Sequence, residues 1–202
     1  MPETSHAVPR PIVVKLGGSL VSDPRLPALL GALARRGAPL VLVAGGGPLA
    51  DGVRALQPRL SLSDTACHHM AILAMEQTTI AFADLAPDLM LADTPEAIAE
   101  AHAQGRAALW LPARMARAAR ELPESWDLTS DSLAAWLAAK LGAVRLTLVK
   151  SAPAPGPTPA DWAASGLVDP LFPSFAAHVT GAVEIVTIDA MVTSAGRGSL
   201  AA

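Results

Sequence analysis

Twice near its start the chain runs a short apolar, β-branched segment straight into glycines. Pro11-Ile12-Val13-Val14-Lys15-Leu16 ends at Gly17-Gly18, and Pro39-Leu40-Val41-Leu42-Val43-Ala44 ends at Gly45-Gly46-Gly47. Apolar runs of this length, closed by turn residues, read as strands covered on both faces. Between them the periodicity predicts a helix over about residues 24–36, closed by Gly37. Two buried strands joined by a helix pair in parallel through a right-handed crossover, and ligands of such sheets bind beyond the carboxyl ends of the strands. Both glycine turns lie at that edge. Apart from this doubled unit the sequence holds no internal repeat.

The alternation continues along the chain. Ser63-Asp64 is placed to cap a helix running through residues 68–75, and residues 95–102 and 112–120 read as further helices. Residues 89–91 and 108–111 are candidate short strands between them. Ser130-Asp131 opens a helix over 132–141 that ends at Gly142, followed by a strand at 146–150 and a last strand at 184–188. Four prolines and a glycine between 152 and 159 exclude regular structure there, so 152–165 is expected to be a loop or lid. With 202 residues, 51% of them hydrophobic, the chain has material for one α/β domain spanning 1–202, its first ten residues a flexible segment.

Charge narrows the chemistry. Only 16% of residues are charged and the formal net charge is −3, which argues against an extended basic surface for nucleic acid and requires any phosphate to be held locally. No apolar run approaches the roughly 20 residues of a membrane span. The single cysteine, Cys67, has no intramolecular partner and the first residues do not form a secretory leader, so a cytoplasmic location is expected.

Lys15-Leu16-Gly17-Gly18-Ser19 sets a cation at a strand end beside two residues without side chains, where backbone N–H groups can approach phosphate oxygens. The alternative is a Gly-Gly turn with a solvated lysine. Gly45-Gly46-Gly47-Pro48 adds a second such loop, and neither follows the P-loop or dinucleotide pattern. Asp131, among Thr129-Ser130-Asp131-Ser132, has three open roles: ordering a lysine, binding Mg²⁺ through water, or capping its helix. Lys150 ends a strand and so points towards the same edge or into solvent. Cys67-His68-His69 resembles a metal cluster, but adjacent helical histidines diverge by about 100° and no second group has ligand spacing, so no metal site is assigned. One of the two histidines is expected to face a substrate phosphate instead. Trp126-Asp127 and the segment 166–170 place polar groups in apolar settings, which suits substrate contacts and turns equally.

In this order, Lys15-Leu16-Gly17-Gly18-Ser19, Gly45-Gly46-Gly47 and Ser130-Asp131-Ser132-Leu133-Ala134 resemble the amino-acid kinase superfamily of aspartate, glutamate and uridylate kinases. Within it, the His68-His69-Met70-Ala71-Ile72-Leu73-Ala74-Met75 run, residues 126–136 and residues 166–170 are similar to the kinases of methanofuran biosynthesis. The resemblance implies a three-layer αβα sandwich with a mainly parallel central sheet, and a homo-oligomeric assembly. It implies ATP-dependent phosphorylation, with Mg²⁺, of an aminomethylfuran-methyl phosphate to its diphosphate. Lys15, Asp131 and Lys150 would be catalytic, and Gly17, Gly18, Ser19, Gly45, Gly46, Gly47, Ser130 and Lys150 would hold ATP. The acceptor would meet Gly46, Gly47, Asp51, His68, His69, Trp126 and Asp127. Superfamily members often carry a further lysine in a later loop, but none follows Lys150 here, so Lys150 or Arg197 takes that role or the activity is weak. A kinase for another small acid or phosphate, a non-catalytic nucleotide-binding protein and an oxyanion store of the same fold are the alternatives.

Overall fold

The computed structural model of the chain describes residues 10–37 and 39–196. The expected flexible segment 1–10 lies almost wholly outside the described residues, as does Arg197. Six strands form one all-parallel sheet: β1 (Ile12–Leu16), β2 (Leu40–Ala44), β3 (Met90–Ala92), β4 (Ala108–Trp110), β5 (Arg145–Lys150) and β6 (Ala182–Thr187), in the spatial order β3-β4-β2-β1-β5-β6. Every residue of β1 and β2 is buried, as a sheet covered on both faces requires.

Alternation along the strands divides the core in two. Val13, Val41, Val43, Leu146 and Leu148 pack on one face against Ile72 and Met75 of α3 (Asp64–Leu85), Trp136 of α6 (Ser130–Lys140), Trp162 of α7 (Pro159–Ala164) and Phe172 of α8 (Phe172–Ala176). α4 (Pro95–Ala103) and α5 (Ala113–Ala118) join the same layer through Ile98 and Met115. On the other face Ile12, Val14, Leu16, Leu40 and Leu42 meet Leu26, Leu29, Leu30 and Leu33 of α1 (Leu26–Arg36), with Met191 of α9 (Ile188–Gly196). The result is a three-layer αβα sandwich.

The topology places the site. β1 leads to β2 on one side while β5 leads to β6 on the other, so the carboxyl ends of β1 and β5 flank the point where strand order reverses. A crevice opens at such a point because the connections leave towards opposite faces.

Several boundaries differ from the sequence reading, each for a physical reason. α1 starts at Leu26 rather than near Pro24, because residues 18–22 first make a 3-10 turn. The third glycine of Gly45-Gly46-Gly47 is not loop: it opens α2 (Gly47–Leu60), a helix that the sequence reading did not contain, with Pro48 in the first turn where its missing N–H does no harm. Within 152–165 the irregular part ends at Thr158, whose hydroxyl and the Asp161 carboxylate form a capping box that starts α7 at Pro159. Ile188 opens α9 instead of ending β6.

Candidate active site

Lys15 shares the face of β1 that carries Val13, and Lys150 shares the face of β5 that carries Leu146 and Leu148. Both ammonium groups therefore project towards α6. In the sheet register Leu16 lies opposite Val149, which brings Lys150 one step beyond, beside the first glycine turn. α6 is buried without a break from Asp131 to Ala138, so its first turn is driven down onto these strand ends. Asp131 meets both lysines there: Lys15 Nζ lies 2.8 Å from Oδ1 and Lys150 Nζ donates to Oδ2 at 2.7 Å. The contact of Lys15 with Oδ1 is an ion pair without aligned hydrogen-bond geometry, which leaves that oxygen the one buried side-chain polar atom lacking a hydrogen bond among the described residues.

Burial and proximity set the charges of this group. Burial, and then the positive charge of Lys15, push Lys150 down to about 8, with Asp131 pulling in the opposite direction. Burial alone would raise Asp131, but Lys15 and Lys150 outweigh it and hold the carboxyl below its ordinary value. Lys15 and Asp131 line the floor of a cleft of about 510 Å³, while Lys150 holds the other Asp131 oxygen from outside that lining and also feels the buried Asp169.

Asp131 does not cap its helix. Thr129 is the N-cap residue and makes no side-chain cap of its own. The acceptor comes from the segment after α7: Asp169 Oδ2 accepts from Thr129 N at 3.0 Å, Thr129 Oγ1 at 2.8 Å and Ser132 N at 3.0 Å, and the Ser132 hydroxyl donates to Oδ1. Asp169, itself buried, thus satisfies the helix start and leaves the Asp131 side chain free for the lysines.

The two glycine turns touch backbone to backbone: a Cβ on Gly18 would lie 2.6 Å from Gly47 N. Gly18, Gly46, Gly47 and Ser19 line the cleft, as do Ser130, Asp51, His68 and Trp126. Gly17 and Gly45 do not, because their N–H groups are spent on the sheet, donating to Val149 O and Leu16 O at 3.0 Å each. The helix starts at Gly18 and Gly47, which line the cleft with Lys15, leave N–H groups without intrahelical acceptors. Gly46 faces the protein on its other side, where a Cβ would meet that of Ala50 at 2.6 Å, so a bulky replacement there disturbs packing before it reaches any ligand.

His68 and His69 part company. His68 is buried against the cleft and pushed below its ordinary pKa chiefly by that burial, with Glu124 pulling it back up and His69 depressing it further. His69 turns away to Glu124, 3.1 Å from Nε2 to Oε1, and lines a separate cavity. Trp126 donates its indole N–H to Gln57 Oε1 at 2.6 Å and lies under the Arg54 guanidinium, 4.4 Å from its ring centroid. Asp127 is exposed, outside the cleft lining, and its carbonyl accepts from Leu171 N. Thr129, from the helix-start motif, lines the cleft as well, and so do Arg54 and Ser22, which no sequence signal marks. The missed α2 explains Arg54, which pairs with Asp51 one helical turn earlier.

Residues 10–154 match the model of the amino acid kinase family. The chain belongs to that family. Over 127 residues it is 30% identical to the [5-(aminomethyl)furan-3-yl]methyl phosphate kinase of Methanocaldococcus jannaschii, a match covering 62% of this chain and 58% of that protein. The aligned part is therefore less than two thirds of the relative's length. Among solved structures of the family's fold, a uridylate kinase from Archaeoglobus fulgidus superposes with a TM-score of 0.67 at 17% identity, over 92% of this chain and 95% of that one. A UMP kinase from Ureaplasma parvum gives 0.64 at 14% identity, over 89% and 90% of the two chains. An aspartate kinase from Synechocystis gives 0.62 at 13% identity, over 87% of this chain and 37% of that one. These likenesses establish the amino acid kinase fold.

Proposed function

We propose that this chain is an ATP-dependent kinase whose acceptor is a small molecule that already carries a phosphate, with an aminomethylfuran-methyl phosphate the first candidate. The observation that carries this reading is the buried carboxylate of Asp131, which holds Lys15 at the floor of the cleft with one oxygen and Lys150 with the other. Such a floor suits the meeting of two polyanions, whose repulsion is the main obstacle when one phosphate attacks another. The similarity to the Methanocaldococcus jannaschii kinase supports the choice of acceptor.

The residues fit a triphosphate. Touching glycine turns, free helix-start N–H groups and two lysines provide donors and charge without side-chain bulk. Both Asp131 oxygens face lysines, and among the described residues no group of three or more His, Cys, Asp or Glu is placed to hold a metal ion. Mg²⁺ would therefore be carried on the ATP phosphates, where it neutralises charge. In the transfer, an oxygen of the acceptor phosphate forms a bond to the γ-phosphorus while the bond from that phosphorus to the bridging oxygen breaks and ADP leaves. The attacking oxygen is ionised at neutral pH and needs no general base, so positioning and charge neutralisation suffice. Lys15, which lines the cleft with Gly18 and Gly47, stabilises the transferring group, and Lys150 the charge developing on the leaving phosphate. Asp131 keeps the two apart and aimed. His68 faces the acceptor phosphate, while Asp51, Arg54 and Trp126 form the outer wall for the rest of the acceptor.

Assembly as a homo-oligomer and a cytoplasmic location belong to the same proposal. The exposed Leu56, Leu60, Leu73 and Ile80 on α2 and α3 support assembly, and light scattering on the purified protein tests it. The activity itself is tested by ADP release with ATP and Mg²⁺, with and without an aminomethylfuran-methyl phosphate, alongside uridylate, aspartate and glutamate. Release that depends on the furan phosphate supports the reading; release with another acceptor alone replaces the substrate; ATP binding without release under any condition leaves a nucleotide-binding protein.

A further inference from the structure

Behind the paired histidines lies a second cavity of about 300 Å³ that the kinase reading does not use. It opens between the start of α3 and the end of α5, and its polar lining consists of His68, His69, Arg117, Arg120 and Glu124 over an apolar floor that includes Leu122. Arg117 and Arg120, three residues apart, bring two guanidinium groups to one concave wall. Among the described residues neither has a hydrogen-bond or ion-pair partner. Neighbouring arginines are engaged: Arg106 donates to the carbonyls of Pro87, Asp88 and Leu89, and Arg114 pairs with Asp93. The charge of Glu124 is already taken up, since a hydrogen bond from the Thr65 side chain and the contact with His69 hold its carboxyl below the ordinary value.

A hollow with two unengaged planar cations, a histidine pair and one satisfied carboxylate has the composition of an oxyanion receptor, because guanidinium forks bind phosphate and carboxylate oxygens in pairs. We propose that this cavity is a second anion-binding site, taking a compact phosphate or carboxylate dianion, separate from the lysine floor and sharing only the wall formed by His68. The site does not depend on the kinase reading, because it uses neither lysine and neither glycine turn.

The test is calorimetric titration with inorganic phosphate and, separately, with citrate. The wild-type chain should show two phosphate sites. Arg117→Ala/Arg120→Ala should lose one of them without a change in melting temperature, since both side chains are exposed. Lys15→Ala should lose the other. Glu124→Gln should tighten the arginine site about threefold by removing a neighbouring negative charge. Binding of phosphate but not citrate at the arginine site identifies a phosphorylated ligand, and the reverse a carboxylate. A titration in which Arg117→Ala/Arg120→Ala binds both anions as the wild type does overturns the proposal. So does a single wild-type site that vanishes in Lys15→Ala. If Lys15→Ala does not fold, the step from two sites to one in the arginine variant decides alone.

Discussion

The floor of the cleft and its outer wall hold charge in opposite ways. At the floor and in contact with it, the Lys15, Lys150 and Asp131 side chains are 3%, 12% and 7% exposed, fixed by two strand ends and the first turn of a buried helix. On the wall Arg54 and Asp51 are 49% and 71% exposed, carried by a helix in which only Val53 is buried. Buried charges act on one another through a poorly screening medium and shift each other's protonation, whereas exposed ones are screened by water and salt. Under the proposed function, the floor would stabilise the transition state and the wall would recognise the acceptor.

The strongest way to break that division is Lys15→Met, which keeps length but removes a floor charge. Turnover should fall by about 10³-fold or more, in line with losing a principal charge contact to a transferring phosphoryl group. Loss of that charge should also let the Lys150 pKa climb above 8, so the alkaline limb of any residual pH–rate profile should move to higher pH. Turnover within tenfold of wild type would remove the floor from the chemistry. Asp131→Asn should slow the reaction about a hundredfold with the protein still binding ATP. The helix start stays capped by Asp169, but the two ammonium groups lose their shared counter-charge, so Lys150 should fall below 8 and the melting temperature should drop. An unchanged pH profile in this variant would show that the lysines do not sense the carboxylate.

The wild-type pH dependence sharpens the comparison. Above about pH 8 Lys150 loses its proton, and phosphate affinity should weaken as pH rises through that value. Stability should move the other way. The folded value lies below the ordinary 10.5, so between about pH 8 and 10.5 the unfolded chain binds more protons, and this group's contribution to stability rises with pH across the window. Melting curves of the free and phosphate-bound protein from pH 7 to 10 check both signs at once. Asp169→Asn should lower stability by about 1–3 kcal/mol, read in denaturant titrations, because amide hydrogens would face the donors of Thr129 and Ser132. The smallest effect is expected on the wall, where Arg54→Ala should raise the acceptor KM a few-fold and leave kcat unchanged. A fall in kcat equal to that of a floor variant would merge the two regions.

What could be read in the sequence follows the same division. β1 and β2 announce themselves because strands covered on both faces are near-continuous apolar runs, and the glycines after them mark where they end; β5 shows the same signal in Leu146, Leu148 and Val149, interrupted by Thr147. Alternation then carries Lys15 and Lys150 to the face that receives α6. By contrast α2 buries only Val53, so it leaves no apolar stripe, and Gly45-Gly46-Gly47-Pro48 reads as a loop; Arg54 went unnoticed with it. The spent N–H groups of Gly17 and Gly45 depend on sheet register, which the order of residues does not display. Nor does any local pattern join Asp169 to a helix start 37 residues earlier, at Ser132. That tertiary capping decides between the readings of Asp131, since a carboxylate at the second helical position is free for other work only when another group caps the turn.

The central place of β1 also has a consequence for how the chain folds. Its strand is flanked by β2, which emerges next, and by β5, which emerges only after more than half of the polypeptide has been made. Until then Lys15 lies on an unpaired sheet edge, without Lys150, the second cation on its carboxylate. Closing that edge demands contacts between the two most distant thirds of the sequence, the kind that slow folding and leave a growing chain open to wrong partners. The buried lysine–carboxylate cluster thus closes late around the first strand laid down.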